Sequence, residues 1–256
     1  MAAKLFILGC SGSGKSTAAH HVVKRAQDKG YSAIHVNDYE ILYKMFQADE
    51  EAKGGKFRLT AYDGFDVRDH AVYDEALKQL EQEVEGLRRQ TEGLIIVEFA
   101  RNDYRLAFKL FSVGFLKDAS FLLLESSPDI CIQRIHERAT HPATRDDHFV
   151  PDYIIETYNH KGNRQYIISG LKTEYGIPNE RLKIIDNRGA SMSFFKEVAR
   201  FAEEILRREI DVSKATEQLP KVSTSTPINE SDQETHSKQE TEPIRIVTPI
   251  DEPKEP

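Results

Sequence analysis

The chain has 256 residues, 39% of them hydrophobic and 30% charged, which is an ordinary balance for a globular domain with a sizeable core. The formal net charge is −7, and residues 211–256 carry −5 of it, so the nearly neutral remainder argues against long nucleic acid as the main ligand. Two cysteines, Cys10 and Cys131, are too few for a zinc motif or a disulfide framework. The apolar run at 4–8 is too short for a membrane helix and no signal-peptide pattern follows it, so we expect a cytoplasmic protein without membrane attachment.

Short apolar runs alternate with helix-compatible segments along the first 210 residues. The apolar runs predict strands at 4–8, 33–36, 94–97, 121–124 and 182–185. The other segments predict helices at 15–28, 69–89, 104–111, 128–139, 152–172 and 192–208. Strands that alternate with helices favour a parallel sheet covered on both faces. We therefore predict an α/β three-layer sandwich with a five-stranded parallel sheet.

The composition changes beyond residue 211. The segment 212–256 holds six of the ten prolines, is rich in Ser, Thr, Glu and Gln, and has no Phe, Tyr or Trp. It cannot bury enough apolar surface to offset its chain entropy, so we predict a domain at 1–211 and a disordered acidic tail at 212–256. The apolar run 243–250 is a candidate site for a protein partner; the alternative is an unremarkable patch of tail.

The segment from Gly9 to Thr17 reads GCSGSGKST and matches the Walker A pattern G-x-x-x-x-G-K-[ST] between a predicted strand and a predicted helix. Its glycines allow the backbone to approach phosphates closely, and its N–H groups and the following helix end attract anions. Lys15 adds positive charge for the β- and γ-phosphates, and Ser16 offers an oxygen ligand to Mg²⁺. The residues predicted to bind the nucleotide here are Gly9, Gly12, Ser13, Gly14, Lys15, Ser16 and Thr17.

The span from Ala3 to Arg208 resembles the P-loop kinase group that includes nucleoside, nucleoside-monophosphate, gluconate and shikimate kinases. The resemblance implies a P-loop fold, ATP and Mg²⁺ as cofactors, a helical acceptor-binding lobe and a lid. On this resemblance the lobe lies at 39–92, between the second and third strands, and the lid at 134–150, after the fourth strand.

Two acidic residues follow predicted strands. Asp38 comes after the second strand, where such kinases place a carboxylate that contacts the acceptor or the metal; the alternative is a helix N-cap. Glu98 ends the third strand with Arg101 three residues on, similar to the acidic-then-arginine pattern of nucleoside kinases. Glu98 would bind Mg²⁺ through water or act as the base, and Arg101 would grip an acceptor or a phosphate; the alternative is a structural Glu98–Arg101 pair. The sequence does not decide which carboxylate is the base.

Arginines and an asparagine occupy the predicted lid and the last strand end. Arg134 and Arg138 share a helix face, and by resemblance to the R-x-x-x-R pair of such lids they would stabilise charge on the transferred phosphoryl group. The alternative is that both arginines are ordinary surface residues. Arg145 belongs to the same predicted lid. Asn187 opens the loop that packs against adenine in related kinases, and a plain turn is the alternative.

The region 57–69 sets aromatic residues beside carboxylates and arginines, within the segment that resembles an acceptor lobe. Arg58 and Arg68 are candidates for acceptor contact; packing that starts the next helix is the alternative. The residues predicted to bind the acceptor are Asp38, Arg58, Arg68 and Arg101.

These features predict an ATP-dependent kinase that phosphorylates a small molecule, a nucleoside or a nucleoside monophosphate being the leading acceptor. One alternative is a kinase for another hydroxyl, either on a sugar-like metabolite or at a polynucleotide 5′ end. Another is a nucleotide-dependent binding module without transferase activity. A GTPase switch is disfavoured because no N-K-x-D-type motif follows a strand.

Overall fold

A computed structural model of this chain describes residues 2–142, 147–189 and 192–217. These residues belong to one compact unit, Met1–Gln218. Arg145 of the predicted lid, the apolar run 243–250 and all but the first residues of the predicted tail lie outside the described residues. None of the described helices is long and apolar enough to cross a membrane.

The strands and helices follow the predicted alternation. The strands are β1 (Ala3–Gly9), β2 (Ala33–Asn37), β3 (Phe57–Leu59), β4 (Phe65–Val67), β5 (Leu94–Glu98), β6 (Ser120–Glu125) and β7 (Leu182–Asp186). The helices are α1 (Lys15–Asp28), α2 (Asp38–Ala52), α3 (Ala71–Arg88), α4 (Tyr104–Phe108), α5 (Val113–Lys117), α6 (Pro128–Thr140), α7 (Asp152–Glu156), α8 (His160–Gln165), α9 (Leu171–Tyr175) and α10 (Met192–Glu217). All five predicted strands are confirmed.

The central sheet has five strands in the order β2-β5-β1-β6-β7, and each neighbouring pair is parallel. This confirms the predicted α/β fold with a five-stranded parallel sheet. In the register, Glu98 lies opposite both Asn37 of β2 and Ile7 of β1. The carboxyl ends of these three strands therefore meet at one edge, which is where ligands bind in open α/β sheets.

The sheet separates two hydrophobic clusters. Alternating residues of β1 point to opposite faces, so Leu5 and Ile7 pack against α1 and α10 while Phe6 and Leu8 face the other layer. Phe6 stacks on Phe121 at a centroid distance of 5.0 Å. It makes edge contacts with four further rings, those of Phe99, Phe108, Phe111 and Phe115. This aromatic cluster supports the loops that follow β5.

The predicted helix at 152–172 is wrong as a continuous element. The structure divides it into α7, α8, a π-helical segment at Tyr166–Gly170 and α9. The side chain of Asn159 accepts a hydrogen bond from the Gly162 N–H at 3.0 Å and starts α8 anew. Asn163 then accepts from the Tyr104 N–H at 2.9 Å and donates to Asn102 O at 3.0 Å. These long-range bonds outweigh the local helical pattern.

The segment between β2 and α3 contains structure that the predicted strands and helices leave out. It begins with α2, whose N-cap is Asn37: its side chain accepts from the Glu40 N–H at 3.0 Å. Asp38 is the first helical residue, so the alternative of Asp38 as N-cap is wrong. The antiparallel hairpin of β3 and β4 follows, and its Phe65 stacks on Phe46 of α2 at 4.9 Å. Aromatic packing thus holds the hairpin against α2.

Candidate active site

The loop between β1 and α1 has the backbone that its glycines predict. Gly9, Gly12 and Gly14 all have positive φ, of 145°, 80° and 94°. A Cβ atom on Gly12 would lie 2.5 Å from the carbonyl oxygen of Cys131, so the close packing of α6 on this loop requires glycine there. The Ser13 N–H donates to Cys10 O at 3.1 Å and closes the loop on itself. The result is a backbone concavity beside the N-terminal end of a fourteen-residue helix, which attracts anions.

The charged side chain of the loop is held close to its backbone. Lys15 is buried, and its Nζ donates to Cys10 O at 3.1 Å and lies 4.0 Å from Glu98 Oε1. The predicted nucleotide-binding residues of this loop therefore stand together, with Thr17 exposed at the cavity wall. The concavity and Lys15 fit an anionic group such as a triphosphate.

Glu98 lies beside the loop and uses both carboxylate oxygens. Its Oε1 accepts from Ser16 Oγ at 2.9 Å, and its Oε2 lies 2.9 Å from His35 Nε2. Burial alone would raise the pKa of Glu98, but the hydrogen bond with His35 and the charge of Lys15 outweigh it and hold the pKa below its ordinary value. The structure thus places an ionised carboxylate against Ser16, as expected, and adds His35 as its second partner.

These oxygens fit Mg²⁺ by their chemistry. Magnesium prefers oxygen ligands, keeps several waters, and is commonly held by one or two protein groups together with substrate phosphates. Ser16 Oγ and Glu98 Oε1 supply such a pair. In the part of the chain that the structure describes, no group of three or more His, Cys, Asp or Glu side chains could hold a metal unaided. A metal here would therefore depend on the bound phosphates as well.

Asp38 and Arg101 form a buried ion pair at the same edge of the sheet. Arg101 Nη1 lies 2.5 Å from Asp38 Oδ2, and the guanidinium also donates to Ala100 O at 2.7 Å and to Tyr73 O at 3.0 Å. Its centre lies 4.8 Å from the centroid of the Tyr73 ring. Burial raises the pKa of Asp38 above its ordinary value, and Arg101 opposes the shift only in part. The pairing is with Asp38 rather than Glu98, so the alternative Glu98–Arg101 pair is wrong.

The charged groups of the loop and of the strand ends line one cavity of about 930 Å³. Its wall includes Lys15 and Ser16 from the loop, and Asp38, Glu98 and Arg101 from the strand ends. A volume of this size lies within the range of sites that enclose small ligands. The anion-binding loop and the buried carboxylates therefore face the same enclosed space.

The arginines of α6 differ in position. Arg134 donates to Gly12 O and to Asn187 O, each at 3.2 Å, so it ties the loop to the segment after β7. Arg138 lines the cavity. Asn187 is buried, and its side chain donates to Ser13 O at 2.8 Å. Arg134 and Asn187 thus brace the loop backbone from two sides, while Arg138 reaches the ligand space.

Of the three arginines predicted to bind the acceptor, Arg101 lines this cavity and the other two, Arg58 and Arg68, do not. Arg58 lies on the hairpin, where its Nη2 contacts Asp66 Oδ2 at 2.6 Å and its side chain is half exposed. Arg68 is exposed at the end of the same region. Asp66 itself does line the cavity. Burial would raise its pKa, but hydrogen bonds from Tyr153 and Arg58 outweigh that effect and lower it.

Tyr104 is a residue of this site that the sequence did not reveal. It is fully buried, and its hydroxyl accepts from the Gly9 N–H at 2.7 Å. The same hydroxyl lies 3.2 Å from Gly9 O and from Phe99 O, to either of which it can donate. Tyr104 therefore links the first residue of the loop to the segment after Glu98. The pairing of β1 with β5 brings these residues together, and no pattern in the local sequence indicates the contact.

Cys131 is a second residue near the loop that its position in the sequence does not reveal. Cys10 and Cys131 are 121 positions apart, yet both are free, buried thiols whose side chains lie close enough to interact. The neighbouring Cys131 and burial raise the pKa of the Cys10 thiol. The two thiols therefore pack as free side chains beside the loop.

The sheet order, the glycine conformations of the loop and the buried groups around it define a P-loop nucleotide-binding protein. The chain belongs to the AAA domain family, whose model matches residues 5–156. This match and the strand order confirm the P-loop fold that the sequence resemblance implied. No curated protein matches the chain.

Solved structures with a similar fold include three kinases. A gluconokinase from Sinorhizobium meliloti 1021 shares 18% identity, with a TM-score of 0.43 over 84% of this chain and 97% of its own. A shikimate kinase from Acinetobacter baumannii shares 15%, with a TM-score of 0.41 over 86% and 97%. The Mycobacterium tuberculosis APS kinase shares 16%, with a TM-score of 0.40 over 83% and 98%. At these identities and TM-scores the similarity concerns the chain topology and gives no information about the acceptor.

Proposed function

We propose that this chain is an ATP-dependent kinase that transfers the γ-phosphate to a small acceptor, with a nucleoside or a nucleoside monophosphate as the leading class. One observation carries the proposal: an anion-binding loop and a buried carboxylate with a raised pKa face the same cavity. A loop that only binds nucleotide has no need of the second group. Phosphoryl transfer needs both, because a positioned phosphate must meet a positioned hydroxyl.

The loop residues have distinct roles in this proposal. Backbone N–H groups of the loop and Lys15 bind the β- and γ-phosphates. Ser16 and Glu98 hold Mg²⁺, which when bound neutralises charge that develops on the phosphates. Arg134 and Asn187 act on the loop backbone and are positioning residues. Adenine packing against Asn187 stays a prediction.

Asp38 is the group best placed to receive the acceptor proton. Glu98 already accepts from Ser16 and pairs with His35, so both of its oxygens are engaged. Asp38 has a raised pKa and lines the cavity. Arg101 orients Asp38 and opposes the rise in its pKa that burial causes. Arg138 would stabilise negative charge on the transferred phosphoryl group.

The deciding experiment incubates the full chain with γ-labelled ATP, Mg²⁺ and a panel of nucleosides, nucleoside monophosphates, sugars and 5′-hydroxyl oligonucleotides. We expect label to pass to a small acceptor. Lys15→Ala should abolish transfer, and Lys24→Ala, which changes an exposed lysine of the same helix, should retain it. Equal transfer by the two variants would attribute the activity to a contaminant. ATP binding without transfer to any acceptor would support a binding module instead.

A further inference from the structure

The residues that line the cavity outside the phosphate loop include more carboxylates than cations. We call this part of the cavity the acceptor end and define it by Asp38, Tyr39, Phe65, Asp66, Asp74 and Arg101, all of which line the cavity. Three of these residues are carboxylates and one is a guanidinium. The other lining cations of the described chain, Lys15 and Arg138, belong to the loop and to the helix that packs on it. Asp38 is paired with Arg101 and Asp66 with Arg58, so these side chains together leave one net negative charge, that of Asp74, facing a ligand.

The single guanidinium of the acceptor end is not available to an anionic ligand. Arg101 is bound to Asp38 at 2.5 Å and to the carbonyl oxygens of Ala100 and Tyr73. A ligand phosphate or carboxylate could recruit Arg101 only by separating it from Asp38, which would leave a buried carboxylate unpaired. Asp66 stays ionised through its contacts with Tyr153 and Arg58. An anionic ligand at this end would thus meet the charge of Asp74, while the other cations of the cavity wall, Lys15 and Arg138, are assigned above to the phosphates of the nucleotide.

The same end is lined by aromatic rings. The Tyr39 ring is parallel to those of Phe65, at 5.6 Å and 7°, and His148, at 3.6 Å and 5°. All three rings line the cavity. Because these rings stack on one another and Phe65 also stacks on Phe46, the aromatic surface left for a ligand is chiefly ring edge, which favours edge contact with a ring of the ligand. Shape and charge at this end therefore favour an uncharged ligand that carries a ring.

We propose that the acceptor is an uncharged, ring-bearing molecule with a free hydroxyl, a nucleoside rather than its monophosphate, and that the acceptor end discriminates against a phosphate or carboxylate on the ligand. This inference rests on the proposed function. In the reaction the acceptor oxygen bonds to the γ-phosphorus as the bond from that phosphorus to the β–γ bridging oxygen breaks. ADP leaves with that bond's electron pair, and the hydroxyl proton passes to Asp38 and then to solvent.

The test measures binding and transfer separately on the full chain. Thymidine and thymidine monophosphate, and cytidine and cytidine monophosphate, are titrated by calorimetry in the presence of Mg²⁺ and a non-hydrolysable ATP analogue. We expect each nucleoside to bind about tenfold more tightly than its monophosphate, and the preference to shrink with added salt because salt screens the repulsion. The same pairs with ATP are then followed by ADP release and by the mass of the phosphorylated acceptor.

A matched pair of variants locates the discrimination. Asp74, in the first turn of α3, and Glu75 are both exposed, but only Asp74 lines the cavity; Glu75 accepts a hydrogen bond from Gln79. Asp74→Lys should reduce the nucleoside preference by about tenfold, since it exchanges a negative for a positive charge near the ligand. Glu75→Lys makes the same exchange outside the cavity and should leave the preference unchanged.

The outcomes separate this inference from the kinase proposal. Nucleoside binding with the expected preference but without transfer would support the charge argument and overturn the kinase activity. Equal or tighter binding of the monophosphates would overturn the charge argument, whatever the transfer assay shows. Failure of both members of each pair to bind would also overturn it.

Discussion

Replacing Tyr104 by phenylalanine tests whether one buried hydroxyl holds the phosphate loop in place. The ring would stay packed, since its contacts with Phe99 and Phe108 at 5.4 and 5.9 Å do not involve the oxygen. The Gly9 N–H, which donates to the hydroxyl at 2.7 Å, would lose its partner in a buried environment. Leaving one buried donor unsatisfied costs about 1–3 kcal/mol.

Stability and nucleotide affinity should both respond to this change. A domain of this size loses about 2–4 °C in Tm for each kcal/mol, so we expect a fall of about 2–12 °C. Gly9 opens the loop, and if about 1 kcal/mol of the loss falls on its binding conformation, the KM for ATP rises about fivefold. The kcat should change less than KM, because Tyr104 does not line the cavity.

Thermal unfolding and steady-state kinetics of Tyr104→Phe measure the two effects, with Tyr31→Phe as the control. Tyr31 is partly exposed and lies outside the site, so its variant should match the wild type in both. If Tyr104→Phe kept the Tm and the KM for ATP of the control, the hydroxyl would not position the loop.

Three further substitutions test other parts of the structure. Gly12→Ala should abolish ATP binding, measured by calorimetry, because a Cβ there would lie 2.5 Å from Cys131 O and φ is positive; tight binding would contradict the loop geometry. Asp66→Asn should lower the unfolding free energy at neutral pH and flatten the fall of that free energy below pH 3.8. The pKa of Asp66 is depressed in the folded state, so the stability that its ionised carboxylate contributes is present above pH 3.8 and is lost as the pH falls through the folded pKa. An unchanged denaturation profile across that range would show that Asp66 does not contribute. Asp38→Asn should lower kcat by about 10²–10⁴-fold with little change in the KM for ATP, and near-normal kcat would remove Asp38 as the base.

The parts of the fold that local patterns determine were predictable from the sequence. The Walker A segment predicted the phosphate loop, because its glycines and Lys15 all lie within one short stretch of the chain. The five apolar runs gave the parallel strands, and Glu98 at the end of one of them gave a site residue. Each of these signals lies within a few consecutive residues, which is the range that periodicity and motif reasoning covers.

The parts that depend on distant contacts were not predictable. His35 and Glu98 are 63 positions apart, and only parallel pairing of β2 with β5 brings them together. Tyr104 reaches Gly9 across 95 positions. Arg58 and Arg68 are residue types that often contact ligands, but Arg58 pairs with Asp66, Arg68 is exposed, and neither lines the cavity. The composition of this segment thus indicated a region near the site, but not which of its side chains line the cavity.

The sequence left open which carboxylate is the base, and the structure supplies a physical reason to separate the two. Glu98 and Asp38 follow neighbouring strands of the same sheet edge and are both buried, so burial pushes both pKa values upward. The difference lies in what opposes burial. Glu98 bonds to His35 and Ser16, and its pKa ends below the ordinary value, which suits a permanent anion beside a metal. Asp38 has Arg101 alone as its close partner among the contacts described, and its pKa ends above the ordinary value, which suits a group that takes up a proton. Environments that drive the pKa values of two similar groups apart assign them different tasks, so on the proposed function Glu98 holds the metal and Asp38 receives the proton.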